Sequence, residues 1–338
     1  MLTSDFLRSG SGFYKDSWRS TGSAARFVLG LASLAVLAWP VVGSGVGRLY
    51  VLREVKPQVF VWLPEDIIEQ EGDPDYSRAG NAGFIITSEG VVAVDATNSP
   101  YHAREVLYEI RQKSGQPVRY LIDTGGSGDE VLGNEVFADL QVPILSTPAI
   151  QTEIRDWAQT LEQKLTSNEK FGRRFRGIHV TPPNQIFQGE TNVSLGGQTI
   201  RLIPFDPSLH AAAVFLPDSK VLFLGDLFQN QYFPRLESRD VRRWIDALRQ
   251  VESWNADVYV PGHGEPGSKK EVGEFRSFLE ELMNEVQTRI AAGKSLDQVK
   301  SEVTLKDYPW RAHDLAAGLV EGVYGQLSAS AKNNAASR

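Results

Sequence analysis

Short apolar runs and helical periodicities alternate along most of this chain, after an N-terminal block that is apolar without a break. Three runs rich in β-branched and aromatic residues, 59–63, 82–87 and 91–96, read as strands, with Glu89-Gly90 as the hairpin turn between the last two. Val106, Leu107 and Ile110 recur at helical spacing within 100–113, and 118–122 returns to strand. A helix is expected over 129–137 and another over 148–165. The second half repeats the alternation, with strands at 186–187, 193–195, 199–204, 212–216 and 221–224. Trp244, Leu248 and Val251 then place a helix over 241–254, followed by a strand at 257–260. Helical patterns cover 269–292, 296–303 and 310–327, and 328–338 is a small, polar tail. Two β-rich halves with helices outside predict an α/β fold layered as a four-layer αββα sandwich, with the C-terminal helices packed on it. No repeat of fixed period occurs.

The unbroken block is Phe27–Gly47, 21 residues without a charge, flanked by Arg26 and Arg48. That length spans a bilayer core, and Trp39-Pro40 does not resemble a small-residue cleavage site. The expectation is an uncleaved, single-pass transmembrane helix. Arg8, Lys15, Arg19 and Arg26 precede it and Arg48, Arg53 and Lys56 follow, which places the N-terminus inside and the large domain on the periplasmic or extracytoplasmic side. The chain therefore divides into an arm (1–25), an anchor (26–47), a connector (48–56), a sandwich domain (57–267), packed helices (268–327) and a tail (328–338).

Composition narrows the chemistry. The chain has 338 residues and a formal net charge of −7, which argues against general nucleic-acid binding. One basic cluster with aromatics, Lys170–Arg176, reads as a solvated loop. There are no cysteines, so disulfides, thiolate metal sites and thiol nucleophiles are excluded.

Candidate chemistry centres on Tyr120-Leu-Ile-Asp-Thr-Gly-Gly-Ser-Gly-Asp-Glu-Val-Leu-Gly-Asn134, a strand leading through glycines into a helix. Two further strings, Val221-Leu-Phe-Leu-Gly-Asp226 and Val258-Tyr-Val-Pro-Gly-His263-Gly, end strands in an acid and an imidazole. Together these resemble the metallo-β-lactamase superfamily, whose signature is a strand followed by Thr-His-x-His-x-Asp-His and Gly-Asn, with later Gly-Asp and Pro-Gly-His-Gly motifs. Thr124, Asp129, Gly133 and Asn134 match the first motif, whereas its histidine places hold Gly125, Ser127 and Glu130. The resemblance implies two metal ions, often zinc, in hydrolytic members. Carried over residue by residue, the first ion loses Gly125, Ser127 and the later loop position, which falls at Pro207 rather than at His210. The second retains Asp129, Glu130, Asp226 and His263. This degenerate set implies either no cofactor or one divalent ion, Mg²⁺, Mn²⁺, Fe²⁺ or Zn²⁺, in an oxygen-rich site.

Without the first position, neither a bridging hydroxide nor a polarised scissile bond is available by the usual dinuclear route. Ser127 has no identifiable base beside it, and His102, His179 and His313 read as packing or surface residues. The expectation is a non-catalytic member acting as a structural or accessory subunit of a membrane complex, respiratory or photosynthetic, with the bilayer and neighbouring subunits as partners and no nucleic acid. The alternatives are a single-metal hydrolase and a ligand-binding or sensory module.

Overall fold

The computed structural model describes residues 50–64, 79–167, 177–236 and 239–336. All belong to the compact unit Gly47–Arg338. Its first sheet contains β1 (Tyr50–Lys56), β2 (Val59–Pro64), β3 (Ala82–Ile86), β4 (Val91–Val94), β5 (Val118–Ile122), β6 (Ile144–Ser146) and β7 (Gln185–Ile186), in that spatial order. The pairing is antiparallel from β1 to β4 and parallel from β4 to β7. The second sheet runs β8 (Thr191–Leu195), β9 (Gln198–Pro204), β10 (Ala212–Leu216) and β11 (Val221–Gln229) in antiparallel sequence, then β12 (Val258–His263) parallel to β11.

The period of two decides which side chains fill each layer. On β2, Val59, Val61 and Leu63 enter the core between the sheets, where they join Val214, Leu216 and Phe223. Phe60 and Trp62 point the other way, into a second core beneath the helix Pro100–Lys113. On β10, Ala213 and Phe215 face a third core, which Trp244, Leu248, Phe275, Phe278 and Leu319 complete from the helices Val241–Glu252, Lys269–Ala291 and Ala316–Ala336. The layers are therefore helix, sheet, sheet, helix, as the alternation predicts.

Several expected elements differ. Residues 50–56, expected as a connector, form β1 because β2 supplies hydrogen-bond partners for Tyr50 through Lys56. Ile144–Ser146 was not expected as a strand; three residues carry too little alternation, and pairing with β5 and β7 defines it. The helix expected over 129–137 breaks into Gly128–Val131 and Asn134–Ala138. At the break, a Cβ on Gly133 would lie 2.0 Å from the Ala96 carbonyl oxygen, so the chain can pass the end of β4 only with glycine there. The last helix begins at Ala316, not 310: Ala312 is left-handed at φ 60°, and Trp310 instead joins the rings of Phe233, Phe278 and Tyr308. That helix continues to Ala336, through most of the expected tail. The apolar run 27–47 and the basic cluster 170–176 lie outside the described residues. Among the described residues, no helix is long and apolar enough to cross a membrane.

Candidate functional site

The loops after β4 and β5, the later part of β11 and the end of β12 converge on one rim of the sandwich. Asp95 follows β4 in a left-handed conformation, φ 57°, and accepts two hydrogen bonds from Thr124, one from its backbone N–H and one from its hydroxyl, both at 2.7 Å. This pair holds the loop after β5. Asn134 Nδ2 donates to Asp123 Oδ2 at 2.9 Å and ties the far end of the same loop to its start. Asn81, just before β3, donates through Nδ2 to the carbonyls of Pro261 and Gly264, clamping the end of β12 across the two sheets.

Within this frame the four residues expected from the motifs come together. His263 Nε2 lies 3.0 Å from Asp129 Oδ2 and 3.8 Å from Asp226 Oδ1. One ligand atom from each of Asp129, Asp226 and His263 can be chosen so that all lie within 4.8 Å of one another. The His263 ring stacks on Tyr232 with centroids 4.5 Å apart, and Arg235 Nη1 approaches Asp129 Oδ2 at 4.0 Å.

Glu130 plays a different part from the histidine it replaces. Its Oε1 accepts the backbone N–H of Asp226 at 3.0 Å, and its Oε2 lies 3.0 Å from Ser127 Oγ. A Cβ built on Gly125 would meet Glu130 Oε2 at 2.1 Å and its carboxyl carbon at 2.8 Å. The Glu130 carboxyl therefore occupies the space into which a side chain at position 125 would project. Ser127 Oγ also stands 2.6 Å from Asp129 Oδ1 and 3.2 Å from Asp226 Oδ2. One hydroxyl proton cannot serve three carboxylates. A proton on Glu130 would relieve part of this, since Glu130 could then donate to Ser127 and leave the hydroxyl proton for Asp129.

Burial, followed by the charges of Asp226, Asp95 and Asp129, pushes the Glu130 carboxyl well above the usual range and favours that proton. Burial likewise raises Asp95 to about 7, against the two hydrogen bonds from Thr124. Burial would also raise Asp129, but the His263 hydrogen bond and charge, with Arg235 and Ser127, outweigh it and hold this carboxyl well below the usual range. The same pairing raises His263 although its burial works the other way. These opposed shifts favour charge on Asp129 and His263 and a proton on Glu130.

These residues do not fit two metal ions. Gly125 has no donor, Ser127 is engaged by carboxylates, and Pro207 opens the tight turn Pro207–Leu209. His210, which follows that turn at φ 45°, places Nδ1 3.6 Å from Glu153 Oε1 and is not among the converging ligands. One ion at Asp129, Asp226 and His263 is chemically compatible with the donor set. Among the described residues, the cavity against His263, Tyr232, Asn81 and Arg311 holds about 40 Å³. His102 is buried, its Nδ1 2.7 Å from Asn98 Oδ1, and His313 packs against Phe233, both as expected for packing residues. The sequence reading missed Asp95, Tyr232 and Arg235. Asp95, which follows an apolar run in the sequence as Asp226 does, carried the one usable signal.

A family model described as the metallo-beta-lactamase superfamily matches residues 76–263. The linear primary-alkylsulfatase of Pseudomonas sp. (strain ATCC 19151) is 23% identical over 221 residues, covering 56% of this chain and 42% of the relative. The chain thus spans less than half the length of that curated relative. Among solved structures, a metallo-beta-lactamase from Pontibacter korlensis superposes with a TM-score of 0.52 at 21% identity, covering 68% of this chain and 99% of its own. The DIM-1 metallo-beta-lactamase gives 0.52 at 18% identity, with 69% and 97% covered. At such identities the structural likeness shows the fold alone.

Proposed function

The chain belongs to the metallo-beta-lactamase superfamily, and from that premise we propose that it is a non-hydrolytic member, tethered to a membrane through 27–47, that serves as a structural or accessory subunit of a membrane complex. The observation carrying the non-hydrolytic part is the Glu130 carboxyl in the side-chain space of Gly125. Dinuclear hydrolysis needs donors at the first metal position to generate the nucleophile and polarise the scissile bond. Here the side-chain space of Gly125, from which one such donor would project, is filled by a carboxyl whose hydrogen bonds run to Asp226 and Ser127. The Asp129–His263 pair bridges the loop after β5 and the end of β12 and clamps the two without a metal. The membrane part rests on the uncharged run 27–47, and a respiratory or photosynthetic assembly is the setting that would suit a tethered scaffold.

The test is metal analysis of the full chain, purified in mild detergent and equilibrated with zinc or manganese, together with identification of co-purifying chains. The expected result is no stoichiometric metal and a stable set of partners. Two bound equivalents, with a hydrolytic turnover abolished by Asp226→Ala, would overturn the proposal.

A second reading has a specific observation behind it, the convergence of Asp129, Asp226 and His263 within 4.8 Å. These residues would hold a single divalent ion, which when bound would supply Lewis-acid chemistry. The alkylsulfatase similarity makes sulfate esters the first substrates to assay. One tightly held equivalent would select this reading. A ligand-binding role at this rim would have only the cavity of about 40 Å³ beside His263 to use.

A further inference from the structure

We propose that the groove between the helix Lys269–Ala291 and the segment 303–310 is the docking site for an extended basic segment of a protein partner, an inference that rests on the subunit reading above and gives it a contact face. Two cavities lie side by side along this helix, one of about 500 Å³ and one of about 480 Å³. Phe278, Glu281 and Tyr308 line both, so the two halves share a wall and form one groove. Its lining runs from Lys270 to Glu285, which is about 22 Å of helix. An extended peptide of about seven residues spans that length, whereas a small cation leaves most of it unfilled. No residue of the groove lines the cavity beside His263, and the whole groove follows the matched family region, which ends at 263.

The floor is apolar and the rim is acidic. Phe278, Leu282 and Val303 are buried, and Tyr308 and Trp310 are half-buried beside them. The Phe278 ring centroid lies 4.5 Å from that of Trp310 and 4.9 Å from that of Tyr308. Around the smaller half stand Glu281, Glu285, Glu302 and Asp307, and among the described residues no lysine or arginine lines it. Arg289 answers Glu285 and Glu302 from outside, and Lys294 meets Glu302 at 2.8 Å. Glu281 accepts the neutral Tyr308 hydroxyl at 2.7 Å, and neither it nor the exposed Asp307 has an ion pair among the described residues. The larger half carries Lys270 and Arg276, but Glu274 takes the first at 2.8 Å and Glu280 the second at 2.7 Å. Lys306, beside Asp307 in sequence, lines neither half. The unanswered charge of the groove is therefore negative.

An aromatic floor under unanswered carboxylates selects arginine and lysine. Their stems lie along apolar surface while the charged head reaches a carboxylate, and a guanidinium also stacks on an aromatic face such as that of Trp310. The same negative charge repels anionic headgroups and nucleic-acid phosphates, which leaves a basic polypeptide as the complementary partner. The bond from Tyr308 to Glu281 fixes both side chains before a partner arrives, so docking costs little of their rotamer freedom.

The probe is a fluorescein-labelled peptide, Gly-Arg-Phe-Gly-Arg-Leu-Lys, with a control in which glutamate replaces each cation. Binding to the full chain in non-ionic detergent is read by fluorescence anisotropy. The basic peptide should bind saturably and the acidic control should not. Asp307→Asn removes an exposed charge that has no partner, and Glu281→Gln keeps an oxygen to accept the Tyr308 hydroxyl, so both variants fold. Each should weaken binding about two- to fivefold, and the pair together should weaken it further. Failure of the basic peptide to saturate, equal binding of the acidic control, or equal affinity in wild type and both variants overturns the docking site. A second measurement separates the groove from the subunit reading: partners that co-purify with wild type in mild detergent should be lost from Glu281→Lys with Asp307→Lys. Partners retained in full by that variant overturn the groove and leave the subunit reading standing. A wild-type chain that purifies alone overturns the subunit reading and the docking site with it.

Discussion

Replacing Glu130 with glutamine should flatten the pH dependence of stability by one proton, and the size of the effect follows from the site. Glu130 is 1% exposed. Burial and the neighbouring charges of Asp226, Asp95 and Asp129 raise its pKa well above 4.5. Above pH 4.5 the unfolded chain releases this proton while the folded chain keeps it, so stability falls as pH rises until the folded pKa is passed. The slope is about 1.4 kcal/mol per pH unit. That slope applies only over the pH range in which the folded chain still holds the proton, and each unit of it is an appreciable share of the roughly 5–15 kcal/mol typical of a folded domain. Glutamine keeps the shape: its carbonyl can accept the Asp226 N–H, and its amide can donate to Ser127. Urea unfolding of the full chain in detergent, followed by tryptophan fluorescence from pH 5 to pH 8, measures the difference. Wild type should lose stability faster than Glu130→Gln, with the gap widening by up to about 1.4 kcal/mol per pH unit until the folded carboxyl titrates. Asp95, raised to about 7 by burial, titrates in the same direction in both proteins, so its contribution largely cancels in the comparison. Parallel pH profiles would mean that Glu130 is ionised in the folded chain, and the neutral-carboxyl account of the site would be wrong.

Gly125→Ala should destabilise the fold by about 1–3 kcal/mol, because its methyl would displace the Glu130 carboxyl. In a Glu130→Ala background the penalty should shrink by more than about 0.5 kcal/mol in a double-mutant cycle, and strict additivity would refute the shared space. His102, lowered to about 4 by burial, should keep a neutral ring at pH 5.5 in an NMR titration. Its contribution to stability is complete above pH 6.5 and is lost as pH falls toward 4; protonation near 6.5 would contradict the buried placement. Tyr308→Phe should cost about 1 kcal/mol by losing the 2.7 Å bond to Glu281. It should also abolish a phenol that titrates at about 12 in the ultraviolet, a value set by burial and by Glu281.

What the sequence determined by itself is the set of elements that local pattern encodes. Val59–Leu63 alternates toward two cores, Trp244, Leu248 and Val251 mark one helical face, and the Gly-Asp226 and Pro-Gly-His263 strings identify a fold whose strand ends form a site. The losses at Gly125 and Ser127 were equally legible, because a missing donor is a property of residue type. Only tertiary structure decided where the replacements point. Glu130 stands in a histidine's place in the motif, yet its carboxyl turns into the space of Gly125, since Asp226 N–H and Ser127 Oγ converge there from another strand and another turn. Asp95, Tyr232 and Arg235 join the site from segments with no motif, and Tyr50–Lys56 becomes a strand only because β2 is there to pair with it. Periodicity records which face of an element is buried; it does not record which distant residue will meet that face. For that reason the fold could be read along the chain, while the arrangement of the site emerged only when residues of four strands and their loops were brought to one rim.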